Sequence, residues 1–282
     1  MKTAAIPQGK LSYLDRGTGD PLLFVHGFLV NGQLWRGVAD ALEGEFRCIV
    51  PEWPMGSHRL ALEPHADLSP PAFADLIANF MDEIGLDRAT LVGNDTGGAM
   101  SQVFTAKYPQ RIERLILTNS DTLEHFTPFP FSLIPPIARV PGGTTALVQP
   151  FRIGPIARFT YGMLTTNPLD PGLVKSFLEP VLSDLDIRRD TRKLAAGIDK
   201  RHTLEAAERL RSFGRPIRFV WGVDDKFFKL EHARELAAMV PDAEIRTIAN
   251  AATFSPLDQP QAVADAIASF ARAGSPSAPA TA

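Results

Sequence analysis

The residue whose setting most clearly permits chemistry is Asp95, at the centre of the segment Gly93-Asn94-Asp95-Thr96-Gly97. An apolar stretch with strand character precedes this segment and a stretch with helix character follows it, with almost no loop between them. Small residues two positions before and after Asp95 allow the backbone to turn sharply and lift the central side chain above the sheet. Amides at the first turn of the following helix stabilise negative charge at the same place. A carboxylate presented in this way can attack an electrophilic carbon.

The elements that must position Asp95 alternate along the chain. Predicted strands cover Pro21–His26, Phe46–Val50, Ala89–Asn94, Arg114–Asn119, Ile217–Trp221 and Glu244–Ile248, and predicted helices cover Leu34–Glu43, Phe73–Ile84, Thr96–Tyr108, Glu231–Met239 and Gln261–Ala271. Several of these strands are apolar throughout, as strands covered on both faces must be. The alternation therefore predicts an α/β fold with a mostly parallel sheet and helices on both faces.

This alternation stops between residues 121 and 210, where ten prolines are mixed with six phenylalanines. Proline at this density breaks helices and excludes a regular sheet. One interpretation is an irregular insertion without a further role. The other, which we favour, is a lid of short helices whose aromatic side chains line an apolar pocket beyond the strand ends. We expect a core formed by residues 1–120 and 211–272, with a flexible tail over residues 273–282.

Composition narrows the classes of partner. The chain has 282 residues, 45% of them hydrophobic, and a formal net charge of −3 from 29 Lys and Arg against 32 Asp and Glu. Without a basic excess to neutralise phosphates, we expect no nucleic-acid partner. The single Cys48 cannot form an internal disulfide, and no apolar run reaches the roughly 18–20 residues of a membrane span. Met1–Lys10 lacks the apolar core of a secretory peptide, so we expect a cytoplasmic protein without membrane attachment.

Four motifs together resemble those of the α/β-hydrolase family, over the chain from about Leu11 to Phe270. They are His26-Gly27-Phe28, the turn at Asp95, Trp221-Gly222-Val223-Asp224-Asp225, and Phe254-Ser255-Pro256-Leu257-Asp258-Gln259-Pro260. In that family an aspartate at the turn is typical of haloalkane dehalogenases and epoxide hydrolases, whereas a serine is typical of esterases and lipases. The resemblance implies the α/β-hydrolase fold with a helical lid insertion, and an alkyl ester on Asp95 that water hydrolyses.

The resemblance also implies roles for residues around Asp95. The backbone amides of Phe28 and Thr96 would form an oxyanion hole, and Asp225 would orient a catalytic histidine. For the substrate pocket we expect His26, Asn119, His125, Phe129, Tyr161 and Phe254. Two alternatives stay open, because Asp95 is also a plausible helix N-cap and Asp225 an ordinary loop carboxylate, easily confused with Asp224.

The histidine that resolves the ester in this family is missing. It is expected in the loop before the last helix, and the register set by Phe254 and Asp258 places Thr253 at its position. A threonine hydroxyl is not basic near neutral pH, and loss of a positioned base typically slows its step about 10²–10⁴-fold. Among the six histidines, His125 at the start of the predicted lid is the best substitute. No histidine pair has further metal ligands beside it, so we expect neither a metal nor another cofactor.

Residues that separate the two Asp-containing branches are also absent. Dehalogenases usually have Trp directly after the nucleophile and an Asn or Trp elsewhere, and these side chains hold the leaving halide. At these two positions this chain has Thr96 and Phe28. Epoxide hydrolases usually present two lid tyrosines, and here only Tyr161 lies in the predicted lid. Three functions stay open: a hydrolase of epoxides or carbon–halogen bonds whose ester persists, a lyase, isomerase or cyclase that uses Asp95 as acid or base, and a non-catalytic binder. In each case we expect a small apolar organic ligand and a monomer or homodimer.

Overall fold

A computed structural model describes residues 1–272 of the chain. Its strands are β1 (Lys2–Ile6), β2 (Gly9–Arg16), β3 (Pro21–Val25), β4 (Arg47–Pro51), β5 (Ala89–Asp95), β6 (Ile112–Ser120), β7 (Ile217–Gly222) and β8 (Glu244–Ile248). They form one sheet in the order β1-β2-β4-β3-β5-β6-β7-β8. Strand β2 is antiparallel to both neighbours, and every other adjacent pair is parallel. The predicted flexible tail, residues 273–282, lies outside the described residues.

Helices cover both faces of the sheet. They are α1 (Arg36–Leu42), α2 (Pro70–Glu83), α3 (Thr96–Lys107), α4 (Ile134–Arg139), α5 (Gly143–Val148), α6 (Gly154–Gly162), α7 (Pro171–Ser183), α8 (Leu185–Gly197), α9 (Lys200–Leu210), α10 (Leu230–Ala237), α11 (Ser255–Asp258) and α12 (Pro260–Arg272). Side chains of β3 alternate between two apolar clusters: Leu23 and Val25 join α2 and α3, and Leu22 and Phe24 join α1 and α12. The predicted fold class is therefore confirmed, since both faces of a mostly parallel sheet are covered.

The first two strands were not predicted from the sequence. Strands β1 and β2 form an antiparallel pair at the edge of the sheet, with Ala4 opposite Leu11. Their residues alternate between buried and exposed rather than forming an apolar run, because only one face of this edge is covered. The six predicted strands are all present, with bounds that differ by at most two residues.

The stretch between β6 and β7 is helical, but its last helix belongs to the core. Prolines stand in the first turns of α4, α6 and α7, where a missing N–H costs no hydrogen bond. Helix α9 packs on α3 and contributes Ala206, Ala207 and Leu210 to the apolar cluster beside the sheet. Residues 121–199 are called the helical insertion below, and the lid over residues 121–210 stays a prediction.

Within residues 1–272, no helix combines the length and the apolar character that crossing a bilayer requires.

Candidate active site

Asp95 occupies a strained turn between β5 and α3. It is the last residue of β5 and has φ 53° and ψ −133°, a left-handed region that side-chain-bearing residues rarely adopt. The glycines around it are needed because a Cβ at Gly97 would collide with the carbonyl oxygen of His26, and one at Gly93 would lie 2.5 Å from the hydroxyl of Ser101. Asp95 occupies the N-cap position of α3, but its side chain makes no capping hydrogen bond of ordinary geometry to that helix.

The carboxylate of Asp95 is held by the loop that follows β3. The backbone amide of Phe28 donates a hydrogen bond to Asp95 Oδ2 at 3.0 Å. The backbone amide of Thr96 also stabilises the ionised carboxylate and lowers its pKa. Both amides expected in the oxyanion hole therefore act on the Asp95 carboxylate, which fixes one oxygen of the side chain.

Burial dominates the acidity of Asp95. It raises the pKa of the carboxyl to about 7, against the opposing effect of the Phe28 and Thr96 amides, and the charge of Asp225 adds to the increase. At neutral pH a substantial fraction of Asp95 is therefore protonated, and the remainder is a poorly solvated carboxylate.

Glycine at position 27 leaves the space that the Asp95 side chain occupies. A Cβ at Gly27 would collide with the carboxylate of Asp95. We expect Gly27→Ala to lower the rate at which Asp95 reacts with an electrophile on the order of 10²-fold, the usual result of displacing a reacting group by about 1 Å. Gly44→Ala is the matched control, because a Cβ at that exposed position meets no atom within 4 Å. Equal rates for the two variants, measured by mass spectrometry, would show that the position of the carboxylate is unimportant.

Asp225 lies in the loop after β7 and is almost fully hydrogen-bonded. Its Oδ1 accepts from the backbone amides of Phe227 at 2.8 Å and Phe228 at 3.0 Å, and its Oδ2 accepts from Asn119 Nδ2 at 2.9 Å. Burial raises the pKa of Asp225 to about 6 in spite of these bonds. Its neighbour Asp224 is exposed, so Asp225 is the carboxylate of this loop that faces the interior.

Thr253 lies next to Asp225. Its side chain is buried, and its hydroxyl is close enough to lower the pKa of Asp225, although no hydrogen bond of ordinary geometry joins them. The carbonyl oxygen of Thr253 accepts from Asn94 Nδ2 at 2.8 Å, which ties this loop to the residue before Asp95. The chain thus brings Asp95, Asp225 and Thr253 to the same end of the sheet.

The histidines are engaged away from this cluster. His26 Nε2 accepts from the backbone amide of Trp53 at 2.9 Å, and Nδ1 lies 3.0 Å from the carbonyl oxygen of Gly27. Burial lowers the pKa of His26 to about 4, so its ring is neutral near pH 7. The ring of His125 stacks on that of His232 at 3.7 Å between centroids. All six histidines belong to the described residues, and none lines the cavity at Asp95.

A cavity of about 240 Å³ opens above Asp95. Its walls come from the turn at Asp95, from the loop at Phe28, and from the helical insertion. The aromatic side chains of the lining are Phe28, Phe131, Phe151, Tyr161, Phe228 and Phe254. The site is therefore an apolar chamber with one carboxylate in its wall.

Two of the six residues predicted for the pocket, Tyr161 and Phe254, line this cavity, and the other four do not. His26 is held below the turn by Trp53, and Asn119 lies between β6 and β7, bonded to Asp225. His125 stacks outside on α10, and the Phe129 ring is 77% exposed. The prediction placed these side chains by chain position, whereas their direction depends on the packing of the insertion.

The sequence analysis missed several polar residues near the cavity, among them Asp121, Thr127 and Thr144. Asp121 directly follows β6 and is fully buried, and the preceding Ser120 pairs in register with Asp95. Thr127 and Thr144 line the cavity, and their buried hydroxyls have no hydrogen-bond partner among the described residues. Asp121 follows a predicted strand, but its closeness to Asp95 depends on the pairing of β5 with β6. No signal existed for the two threonines within an irregular, proline-rich stretch.

Among residues 1–272, no group of three or more His, Cys, Asp or Glu side chains is arranged to hold a metal ion.

Comparison with known proteins places this geometry in context. A sequence model described as the alpha/beta hydrolase fold matches residues 20–260. Lipase 3 of a Moraxella species is 30% identical over 238 residues, 82% of this chain and 70% of the lipase. Haloalkane dehalogenase 2 of Mycobacterium tuberculosis is 31% identical over 113 residues, 40% of this chain and 39% of the dehalogenase. The solved structure of a thermophilic esterase from Thermogutta terrifontis superposes with a TM-score of 0.78 at 24% identity, covering 96% of this chain and 98% of the esterase.

Proposed function

This chain belongs to the alpha/beta hydrolase fold family, and from that premise we propose that it attacks an epoxide or carbon–halogen carbon through Asp95. One observation carries the proposal: a buried carboxylate on a strained turn has one oxygen fixed by the Phe28 amide and lines an apolar cavity. A serine at this position would favour acyl transfer, whereas a carboxylate favours displacement at an sp³ carbon. The partial similarity to a haloalkane dehalogenase supports the same class of reaction.

The proposed first step joins Asp95 Oδ1 to the substrate carbon. The bond from that carbon to the halide or epoxide oxygen breaks, and the departing atom takes the electron pair. Asp95 Oδ2 stays on the Phe28 amide and becomes the carbonyl oxygen of the ester. The same amide would stabilise negative charge on this oxygen when water later adds to the ester.

Hydroxyl groups in the insertion are suited to receive the departing atom. Thr127 and Thr144 line the cavity with unpartnered hydroxyls, which can donate to a halide or an epoxide oxygen. Tyr161 is less available, because its hydroxyl donates to the carbonyl oxygen of Leu29 at 2.5 Å. We assign the helical insertion the role of a lid that excludes water from this step.

The second step, hydrolysis of the ester, lacks the usual base. Thr253 beside Asp225 has no basic nitrogen, so the ester on Asp95 should persist far longer than in an enzyme with a histidine there.

Intact-protein mass spectrometry tests the proposal. The protein is incubated with neutral epoxides and alkyl halides, and peptide mapping then locates any added mass. We expect a stable adduct on Asp95. No adduct with any member of a panel graded in size to about 240 Å³ would overturn the proposal.

The rate of adduct formation should depend on pH in a defined direction. Only the ionised carboxylate attacks, and burial raises the pKa of Asp95 to about 7. We expect the rate to fall about tenfold per pH unit below that value and to level off above it. A rate that is constant from pH 5 to pH 9 would contradict attack by a carboxyl group with this pKa. Rapid-quench mass spectrometry at a fixed electrophile concentration gives the profile.

The same pKa supports a second candidate. A carboxyl that titrates at about 7 is matched to general acid–base work, so Asp95 could instead catalyse an elimination, isomerisation or cyclisation of an apolar substrate. Incorporation of ¹⁸O from labelled water distinguishes hydrolysis from elimination, isomerisation or cyclisation. Hydrolysis in H₂¹⁸O transfers the label to product or to Asp95, whereas a lyase or isomerase incorporates none.

A further inference from the structure

Asp121 is a second buried carboxyl beside Asp95. Its side chain is fully buried, and neither carboxyl oxygen has a hydrogen bond of ordinary geometry within the described part of the chain. Its position is fixed, because Gln102 Nε2 on α3 donates to the carbonyl oxygen of Asp121 at 2.7 Å. Ser120, the last residue of β6, pairs with Asp95 on β5, so Asp121 directly follows the residue opposite Asp95.

The groups around Asp121 explain its ionisation. Burial raises its pKa well above the ordinary value, the negative charge of Asp95 raises it further, and the Thr96 hydroxyl opposes both. From the loop after β7, Asp225 acts on Asp95 in the same direction. From α10, the carbonyl oxygen of His232 faces the next residue, Thr122, and His125 stacks on that histidine. Among residues 1–272, no Lys or Arg forms an ion pair with Asp121.

The part of this pKa increase that comes from Asp95 depends on the charge of that neighbour, whereas the larger part, from burial, does not. While Asp95 is a carboxylate, a second negative charge at Asp121 is strongly disfavoured, so Asp121 stays protonated. Formation of an ester on Asp95 removes that negative charge. The electrostatic reason for keeping the proton then weakens, and Asp121 becomes more acidic at the stage when hydrolysis needs a base.

We propose that Asp121 is the general base for hydrolysis of the Asp95 ester, activated by the loss of charge when that ester forms. The inference rests on the proposed function, since it requires an ester on Asp95. It assigns to a carboxyl after β6 the proton transfer for which Thr253 is unsuited.

Formation of the ester releases a halide or opens an epoxide. Asp121 gives its proton to solvent in the first case and to the epoxide oxygen in the second. The Asp121 carboxylate then takes a proton from water while the hydroxide adds to the carbonyl carbon of the ester, with the negative charge on Asp95 Oδ2. Collapse breaks the bond between that carbon and the alkoxy oxygen, which takes the proton of the new carboxyl. Asp95 is again ionised and Asp121 protonated.

Decay of a preformed adduct tests the role of Asp121. Wild type and Asp121→Asn are both labelled with one electrophile, the excess is removed, and loss of the added mass is followed. We expect decay to be on the order of 10²-fold slower in Asp121→Asn, within the usual range for loss of a general base. Ser120→Ala is the matched control, because it removes a buried hydroxyl at the same strand end without removing a titrating group. It should decay at the wild-type rate.

The pH profile of decay gives a readout that a packing role would not change. In wild type the rate should rise with pH and then level off as Asp121 ionises, whereas in Asp121→Asn it should rise in proportion to hydroxide. Equal decay and equal profiles in the two proteins would overturn the inference. A wild-type profile proportional to hydroxide throughout would do so even if the variant failed to fold. If neither protein forms an adduct, the proposed function itself fails.

Discussion

We expect no covalent adduct on Asp95→Asn with any epoxide or alkyl halide, a loss on the order of 10⁴-fold or more in the rate of labelling. Asparagine has nearly the same shape, and its amide oxygen can still accept from Phe28, but it is a far weaker nucleophile than a carboxylate. The measurement is the mass of the intact protein after prolonged exposure. Labelling of the variant at the wild-type rate would show that another side chain is the nucleophile.

The same variant should be more stable than wild type at neutral pH, which separates lost chemistry from lost folding. Burial raises the pKa of Asp95 in the folded state to about 7, so the folded state binds more protons than the unfolded state between about pH 4 and 7. Stability contributed by this group therefore falls as pH rises through that window, and asparagine removes the penalty. For a domain of this size each kcal/mol gained raises Tm by about 2–4 °C. If the protein is instead a non-catalytic binder, Asp95→Asn should keep the affinity of the wild type for its ligand.

The second large effect is expected from Thr253→His, which should accelerate hydrolysis of the Asp95 ester about 10²–10⁴-fold and convert slow release of product into rapid turnover. Thr253 already lies beside Asp225, whose carboxylate can orient an imidazole and stabilise its protonated form. The substitution breaks no side-chain hydrogen bond, since the Thr253 hydroxyl has none of ordinary geometry, and the main-chain bond to Asn94 is independent of the side chain.

Product formation over many cycles, together with loss of the adduct, measures this gain. The double variant Thr253→His, Asp225→Asn is the control, because it keeps the imidazole and removes the charge that supports it. Most of the gain should disappear in the double variant. A Thr253→His protein that labels but does not turn over would show that this loop is not where the base belongs.

The turn at Asp95 could be predicted from the sequence because its requirements are local. The end of a strand, two glycines and the start of a helix all lie within one short segment. A Cβ at either glycine would collide with atoms of the same turn or of the neighbouring strand. Asp225 and Thr253 were placed through their distances from other motifs, and the structure brings both to the same end of the sheet. Whether Asp95 reacts as a nucleophile stays a prediction.

Features that depend on neighbours in space could not be predicted in this way. Asp121 becomes notable only when β6 is known to lie beside β5, because burial and then the charge of Asp95 on that neighbouring strand raise its pKa. Phe129 was expected in the pocket by composition, yet its ring is exposed because the insertion directs Phe131 inward instead. The core position of α9 likewise follows from its packing on α3, which no periodicity within residues 200–210 reveals.

The charges in the lining of the cavity also limit the net charge of a ligand that can bind there. Asp95 is the one charged side chain among the residues that line it, and no Lys, Arg or His accompanies it there. A molecule that carries its own carboxylate would lose its hydration, gain no counter-ion and meet a second negative charge. We therefore expect the cavity to select by charge before it selects by shape: it should reject haloacids and epoxy acids and admit their uncharged esters and amides.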